Sequence, residues 1–294
     1  MRILVIGHSV VDKVHYKGEV KRSPGGIYFS LLGFLANSYD AEIHLVTSFA
    51  EKHYSLFGEV FRHVKFFVSP EAERMPVNHL YIKDNEEREE VYEYIPGKLN
   101  IDAVGNLDIY DGIYINMVSG FEIGINELYQ LRQSFQGPIY IDVHTLSRGV
   151  NEDQQRFFRP IPHPEVWYGN ADFIQANESE ILTLGTENET RDEITENILS
   201  VGVSGVIVTN EKNGAAIYYY EEEKRSFSFS DRALRSAIPC VGCGDFFGAV
   251  FFSAWLKEKS FEKALKKGVT AAGLFIKYRN NYKKINKELN ERFD

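Results

Sequence analysis

The stretch best suited to chemistry is Cys240–Leu256, CVGCGDFFGAVFFSAWL. Two glycines flank Cys243, Asp245 follows, and the run after it is apolar on every side. A helix that is apolar all round belongs in a protein interior. The spacing therefore predicts a glycine-rich turn opening a buried helix, with a carboxylate in its first turn. The first N–H groups of a helix have no intrahelical partners and carry positive partial charge, so such a terminus is an anion site. Gly242 and Gly244 let the backbone approach a phosphate closely. Asp245 beside that cradle could take a proton from an attacking hydroxyl. An Asp at a helix start is also a favourable cap, so the motif alone leaves both roles open. It is not a P-loop, since no G-x-x-x-x-G-K-[ST] occurs in the chain. Nor is it a dinucleotide fingerprint: Gly242, Gly244 and Gly248 are spaced G-x-G-x-x-x-G, with no strand leading directly in.

A motif of this kind needs a scaffold, and the periodicity supplies one. Strands are expected at Arg2–Gly7, Glu42–Phe49, Ile113–Ser119, Pro138–His144, Phe173–Asn177 and Val206–Thr209. Several are continuous apolar runs, as strands covered on both faces require. Helices are expected between them, at Ile27–Ser38, Glu51–His63, Ile125–Phe135 and Arg191–Val201. The alternation predicts an α/β fold with a doubly wound, mostly parallel sheet, whose ligands bind at the carboxyl ends of the strands. Two stretches break the pattern. Asn78–Ile95 reads as two β-like arms around a charged turn, a polar hairpin projecting from the main domain. Val206–Tyr220 reads as a second hairpin, with Asn213–Gly214 as a type I′ turn. The tail, Lys283–Asp294, is charged and helix-prone.

Composition narrows the function. With 294 residues, 44% hydrophobic and 26% charged, the chain has enough apolar side chains for one large core. A net charge of −9 and the lack of any lysine-rich block argue against a nucleic-acid partner. No apolar run is long enough to span a membrane. Cys240 and Cys243 are the only cysteines, which excludes a disulfide framework and fits a reducing, cytoplasmic setting. Their C-x-x-C spacing can be redox-active, but a disulfide there would distort the loop that should cradle phosphate.

GCGDFFGAVFF resembles the C-terminal signature of the ribokinase family, the pfkB-type carbohydrate kinases, and the resemblance runs in order along the chain. VIGHSVVD, Val5–Asp12, resembles the family's first strand with its substrate-contacting Asp. SPGGIYFS, Ser23–Ser30, resembles the Gly-Gly motif that closes on the substrate. NESE, Asn177–Glu180, resembles the N-x-x-E motif that organises Mg²⁺ and phosphate. VTNEKNG, Val208–Gly214, resembles the nucleotide-side V-T-x-G-x-x-G. The resemblance implies one kinase domain over residues 1–294, with a small β-lid from about 13–22 and 78–95. It implies Asp245 as catalytic base and the backbone of Gly242, Cys243 and Gly244 as anion hole. It places the acceptor against Asp12, Gly25, Gly26, Ser30 and Asn116, the nucleotide against Asn177, Thr209, Glu211 and Gly214, and Mg²⁺ at Glu180. The activity implied is ATP-dependent phosphorylation of a hydroxyl on a sugar or related small molecule, with a homodimer through the lid as a further option. The chain departs from the family at Pro239 and Cys240, where Asp and Thr are usual, at Ser30, where Asn is usual, and at Glu211, where the first Gly of its motif is usual. A nucleoside kinase, and a catalytically weak sugar- or nucleotide-binding protein on the same fold, stay open beside the sugar kinase.

Overall fold

The computed structural model describes residues 1–68, 75–83, 89–231 and 241–293. Pro239 and Cys240 lie outside them. In chain order the elements are β1 (Arg2–Ile6), β2 (Ser9–Tyr16), β3 (Glu19–Gly26), α1 (Ile27–Asn37), β4 (Glu42–Thr47), α2 (Tyr54–Phe61), β5 (Val64–Val68), β6 (Val77–Tyr81) and β7 (Glu89–Tyr92). Then come β8 (Gly112–Asn116), α3 (Ile125–Ser134), β9 (Ile139–Asp142), β10 (Arg148–Val150), β11 (Arg156–Phe158), α4 (Pro164–Tyr168), β12 (Phe173–Asn177) and α5 (Arg191–Ser200). The chain ends with β13 (Gly205–Asn210), β14 (Gly214–Tyr220), β15 (Lys224–Phe229), α6 (Cys243–Glu258), α7 (Phe261–Tyr278) and α8 (Tyr282–Phe293).

Nine strands form the main sheet in the order β15-β14-β13-β12-β9-β8-β1-β4-β5. The seven from β13 to β5 run parallel, and β14 and β15 add an antiparallel edge. The expected doubly wound, mostly parallel sheet is therefore present. From β1 the chain first builds outward through β4 to β5, then returns to the other side of β1 and builds through β8, β9, β12 and β13. The order reverses between β1 and β8. Connections leave opposite faces there, so a crevice opens at the carboxyl ends of those two strands.

The sheet is buried on both faces. One face carries α1, α6 and α7, and the other carries α3, α4 and α5. Every residue of α1 is buried, as is Asp245–Ala254 of α6, which matches their all-round apolar sequences. Gly33 permits their close crossing: a Cβ there would lie 2.5 Å from the Phe246 carbonyl oxygen. Beneath α6, Tyr114, Tyr140 and Phe173 stack on adjacent strands, with ring centroids 5.0 and 5.9 Å apart. Phe252 lies across this ladder, 5.3 Å from Tyr140, and is fully buried. Phe252→Ala is expected to cost about 3–5 kcal/mol of stability, read as a lower urea midpoint at unchanged slope, whereas Phe252→Leu should cost less than half as much. Equal losses for both would mean that the ladder is not packed against Phe252.

A four-stranded sheet, β3-β2-β6-β7, stands apart from the main one. This corrects the expectation for Asp12. The first strand ends at Ile6, and Asp12 lies within β2 of the small sheet, opposite Ser23 and Asn78. The second hairpin forms as expected, but its turn differs. Residues Glu211–Asn213 make a 3₁₀ turn, and the positive φ angles fall at Glu211 (28°) and Gly214 (89°), not at Asn213 and Gly214. Pairing of Asn210 with Gly214 leaves three residues between the strands, too many for a two-residue I′ turn. Among the described residues, no helix is long and apolar enough to cross a membrane.

Candidate active site

Asp245 sits in the first turn of α6, 6% exposed. The turn that starts this helix depends on Gly242, whose φ of 84° is left-handed and whose absent side chain leaves room for the ring of Phe29. The first N–H groups of α6 thus point out of a helix terminus beside a carboxylate. Asn116, the last residue of β8, donates from Nδ2 to Asp245 Oδ1 at 2.6 Å and to Ser30 Oγ at 3.0 Å. These bonds fix the plane of the carboxylate.

The crevice at the switch point holds a cavity whose empty space, part of it open to solvent, is about 360 Å³. Asp12, Gly26, Phe29, Asn78, Glu90, Tyr92, His144, Gly242 and Asp245 are among its walls. Gly25 is adjacent: a Cβ on it would lie 2.1 Å from Asp12 Oδ2. The structure brings Asp12, Gly25, Gly26, Gly242 and Asp245 together. Ser30 and Asn116 are fully buried behind Asp245 and do not line the cavity. Asn116 links Ser30 to the carboxylate through its Nδ2. Tyr28 packs edge-on against Phe57 in the core. Arg148 lies with its guanidinium 4.0 Å over the Phe158 ring, on the β10–β11 hairpin.

The residues expected to hold a nucleotide lie two and three strands further along the same sheet edge. Asn177 ends β12 and pairs in register with Thr209 of β13. Asn177 Oδ1 accepts from the N–H groups of Ser179 and Glu180, at 2.9 and 2.8 Å. Glu180 Oε2 accepts from the Asn177 N–H at 2.9 Å. The two side chains thus cap each other's backbone and shape the turn. Thr209 is half-buried, Glu211 is exposed at φ 28°, and Gly214 is pressed against the Phe229 carbonyl.

Between the two halves stands Asp142, at the end of β9 and opposite Asn116. Gln175 ties it in: Nε2 donates to Asp142 Oδ2 at 2.7 Å and to the Gly244 carbonyl at 3.2 Å, while Tyr140 OH donates to Gln175 Oε1. Burial, with Asp245 and Glu180 adding like charge, holds the Asp142 carboxyl well above the usual carboxylate range. A folded-state pKa above the unfolded one means stability that is present at low pH and lost as pH rises past the ordinary carboxylate value. Asp142→Asn removes that loss. The variant is expected to melt higher than wild type at pH 8, by about 2 °C or more, and to show a flatter pH dependence. Parallel melting curves from pH 5 to 8 would contradict the assignment.

Asn78, Glu90 and Tyr92 escaped the sequence reading. The signal available was the period of two: Asn78 with Leu80, and Glu90 with Tyr92, alternate with exposed or half-exposed neighbours on β6 and β7. Among the described residues, no group of three or more His, Cys, Asp or Glu is placed to hold a metal ion.

Residues 162–287 match the family model described as pfkB family carbohydrate kinase. No curated protein sequence matches the chain. Among solved structures, the chain is similar to a pyrophosphate-dependent kinase in the ribokinase family complexed with a pyrophosphate analogue and myo-inositol. That match has 18% identity, covers 97% of this chain and 100% of the other, and has a TM-score of 0.75. The ribokinase of Arabidopsis thaliana, complexed with ribose and ATP, matches at 18% identity over 100% and 98% of the two chains, with a TM-score of 0.70. A nucleoside kinase of Methanocaldococcus jannaschii matches at 14% identity over 99% and 98%, with a TM-score of 0.66. The fold is therefore ribokinase-like along the whole chain.

Proposed function

We propose that this ribokinase-fold chain transfers a phosphoryl group to a hydroxyl of a sugar or related small molecule, with Asp245 as the catalytic base. One observation carries the reading: a carboxylate lines the cavity beside the N-terminus of a buried helix. An acceptor hydroxyl resting there lies between a proton acceptor and an anion site. Asp245 takes the hydroxyl proton, and the N–H groups at Gly242, Cys243 and Gly244 stabilise charge on the transferring group. Asn116 and Ser30 keep the carboxylate in place. The small sheet acts as a lid that excludes water. The same proposal sets the protein in the cytoplasm and leaves the lid as a surface for a homodimer.

ATP with Mg²⁺ is the donor in this reading, held along Asn177, Thr209, Glu211 and Gly214. The donor set fits magnesium, which favours oxygen ligands and is usually bound by one or two carboxylates plus waters and substrate phosphates. Glu180 and Asp142 are the carboxylates that would hold it. Bound there, Mg²⁺ neutralises charge on the donor phosphates.

Glu211 favours a second reading of the donor. It puts an exposed carboxylate where the family's nucleotide-side motif has glycine, and a pyrophosphate donor would need no base pocket. The pyrophosphate-dependent kinase of the same fold makes that chemistry a concrete option. The test is ³¹P NMR of each acceptor in a panel of pentoses, hexoses, cyclitols and nucleosides, with ATP–Mg²⁺ or pyrophosphate–Mg²⁺. A new phosphomonoester formed with ATP supports the first donor, and one formed only with pyrophosphate supports the second. A nucleoside as the sole acceptor would replace the sugar assignment. No phosphomonoester with either donor would leave a binding protein on a kinase fold.

A further inference from the structure

One wall residue of the cavity takes no part in the proposed reaction. His144 lines it together with Gly242 and Asp245. The other described walls come from β2, β6 and β7 of the small sheet, from the β3–α1 junction, from Val118 beyond β8 and from the turn that opens α6. His144 alone comes from the end of β9, which lies between β8 and β12 in the main sheet. It therefore stands on the side from which a donor held along β12 and β13 would reach the cavity.

The chain holds His144 there against its backbone preference. Its φ of 31° is left-handed, which costs a residue with a side chain about 1–2 kcal/mol. Hydrogen bonds on either side impose it. The Val143 N–H donates to the Gln175 carbonyl on β12 at 3.0 Å, and the Thr145 N–H donates to the Met117 carbonyl beyond β8 at 3.1 Å. Ser147 Oγ closes the turn by donating to the His144 carbonyl at 2.5 Å. Backbone outliers held in this way cluster at ligand-contacting sites. The ring is also incompletely bonded: Nδ1 is buried and has no hydrogen-bond partner among the described residues. A neutral imidazole has one nitrogen as donor and the other as acceptor. An orphaned buried N–H is the rarer defect, so the proton is assigned to Nε2. The ring then has one N–H to offer a ligand.

We propose that His144 is a further catalytic residue: its Nε2–H donates a hydrogen bond to a non-bridging oxygen of the phosphoryl group as that group passes from donor to acceptor. The inference deepens the kinase reading and rests on it for the transfer step. In that step the bond from phosphorus to the donor oxygen breaks, the bond to the acceptor oxygen forms, and the acceptor proton goes to Asp245. His144 keeps its own proton throughout. Charge on the transferring group is spread over its equatorial oxygens, so a side-chain donor adds to the backbone donors at the start of α6.

Variants read the role. His144→Ala is expected to lower kcat about a hundredfold, the scale for removing one such donor, with acceptor KM changed by less than about threefold. Glutamine carries its amide nitrogen as many bonds from Cα as Nε2 is, and asparagine as many as Nδ1. His144→Gln should therefore regain about tenfold over the alanine variant, and His144→Asn should stay near it. Asparagine tolerates a left-handed backbone, so His144→Asn should melt no lower than wild type, and its loss of rate is not a loss of fold. A second measurement needs no turnover: long-range ¹H–¹⁵N spectra of the full chain, in which His144 is the one of eight histidines whose signal His144→Asn removes. Inorganic phosphate or pyrophosphate should shift its Nε2 resonance, and D-ribose or myo-inositol alone should not. The proposal is overturned if asparagine restores kcat as well as glutamine does, if His144→Ala raises acceptor KM and leaves kcat unchanged, or if neither phosphate nor pyrophosphate moves the His144 signal. If wild type transfers no phosphoryl group to any acceptor, the kinase reading and the catalytic role fall together, and a phosphate-dependent shift would leave His144 as the phosphate ligand of a binding protein.

Discussion

Asp245→Asn is expected to lower phosphoryl transfer by at least about a hundredfold, the usual scale for losing a positioned general base. The argument is geometric. The substitution keeps the size of the side chain and keeps an oxygen that can accept from Asn116, whose Nδ2 lies 2.6 Å from Asp245 Oδ1 in the native protein. What is lost is the ability to take a proton. The helix terminus, the cavity walls and Phe29 all stay where they are. The loss should therefore fall on kcat and equally on kcat/KM, the mark of an interaction made in the transition state. Acceptor affinity, read by donor-free titration, should shift much less. Melting temperature should fall little or even rise, because one of the carboxylates acting on buried Asp142 is gone. Transfer that survives the substitution within threefold would remove Asp245 from the base role. A large loss accompanied by a collapse in stability would instead give Asp245 a structural role.

Much of this site was legible in the sequence. The Gly-x-Gly-Asp turn before an all-round apolar helix predicts a buried helix, and α6 is buried as that pattern requires. The parallel strands read well because both their faces are covered, so runs such as Ile3–Ile6 and Val206–Val208 are apolar without alternation. Asp12 read less well. The apolar run from Arg2 continues past Gly7 into Val10 and Val11, and nothing in that continuity says that the chain leaves one sheet for another. Glu90 was hidden for a different reason. It lies in EEREEVYEY, a stretch that reads as solvated charge. Yet it is buried and lines one cavity with Val118 and Asp245, more than twenty-five residues away in sequence. Ser30 and Asn116 lie buried behind Asp245, a placement not legible beforehand because sequence order cannot say which of two polar groups stands in front.

Gly242→Ala is expected to be the most damaging single methyl group in the site. Its backbone is left-handed, at φ 84°, which costs a residue with a Cβ about 1–2 kcal/mol. The added carbon would also stand 2.2–2.5 Å from three ring atoms of Phe29, and that ring is held edge-on by Phe275, with centroids 5.9 Å apart. Either Phe29 moves or the first turn of α6 moves. A shift of about 1 Å in a reacting group can cost about a hundredfold in rate, and a displaced Phe29 deforms the cavity it lines. The variant should therefore lose about 2 kcal/mol or more of stability, about a hundredfold in transfer, and acceptor affinity as well. That joint loss separates it from Asp245→Asn. A double-mutant cycle isolates the clash. Removing the ring with Phe29→Ala should give back part of the stability lost to Gly242→Ala, leaving the backbone cost behind. Gly244→Ala sets the scale, since a Cβ there meets only Gln175 Nε2, at 3.8 Å. Its stability should stay near wild type. If the two alanines destabilise the protein equally, steric conflict with Phe29 is not what requires glycine at 242.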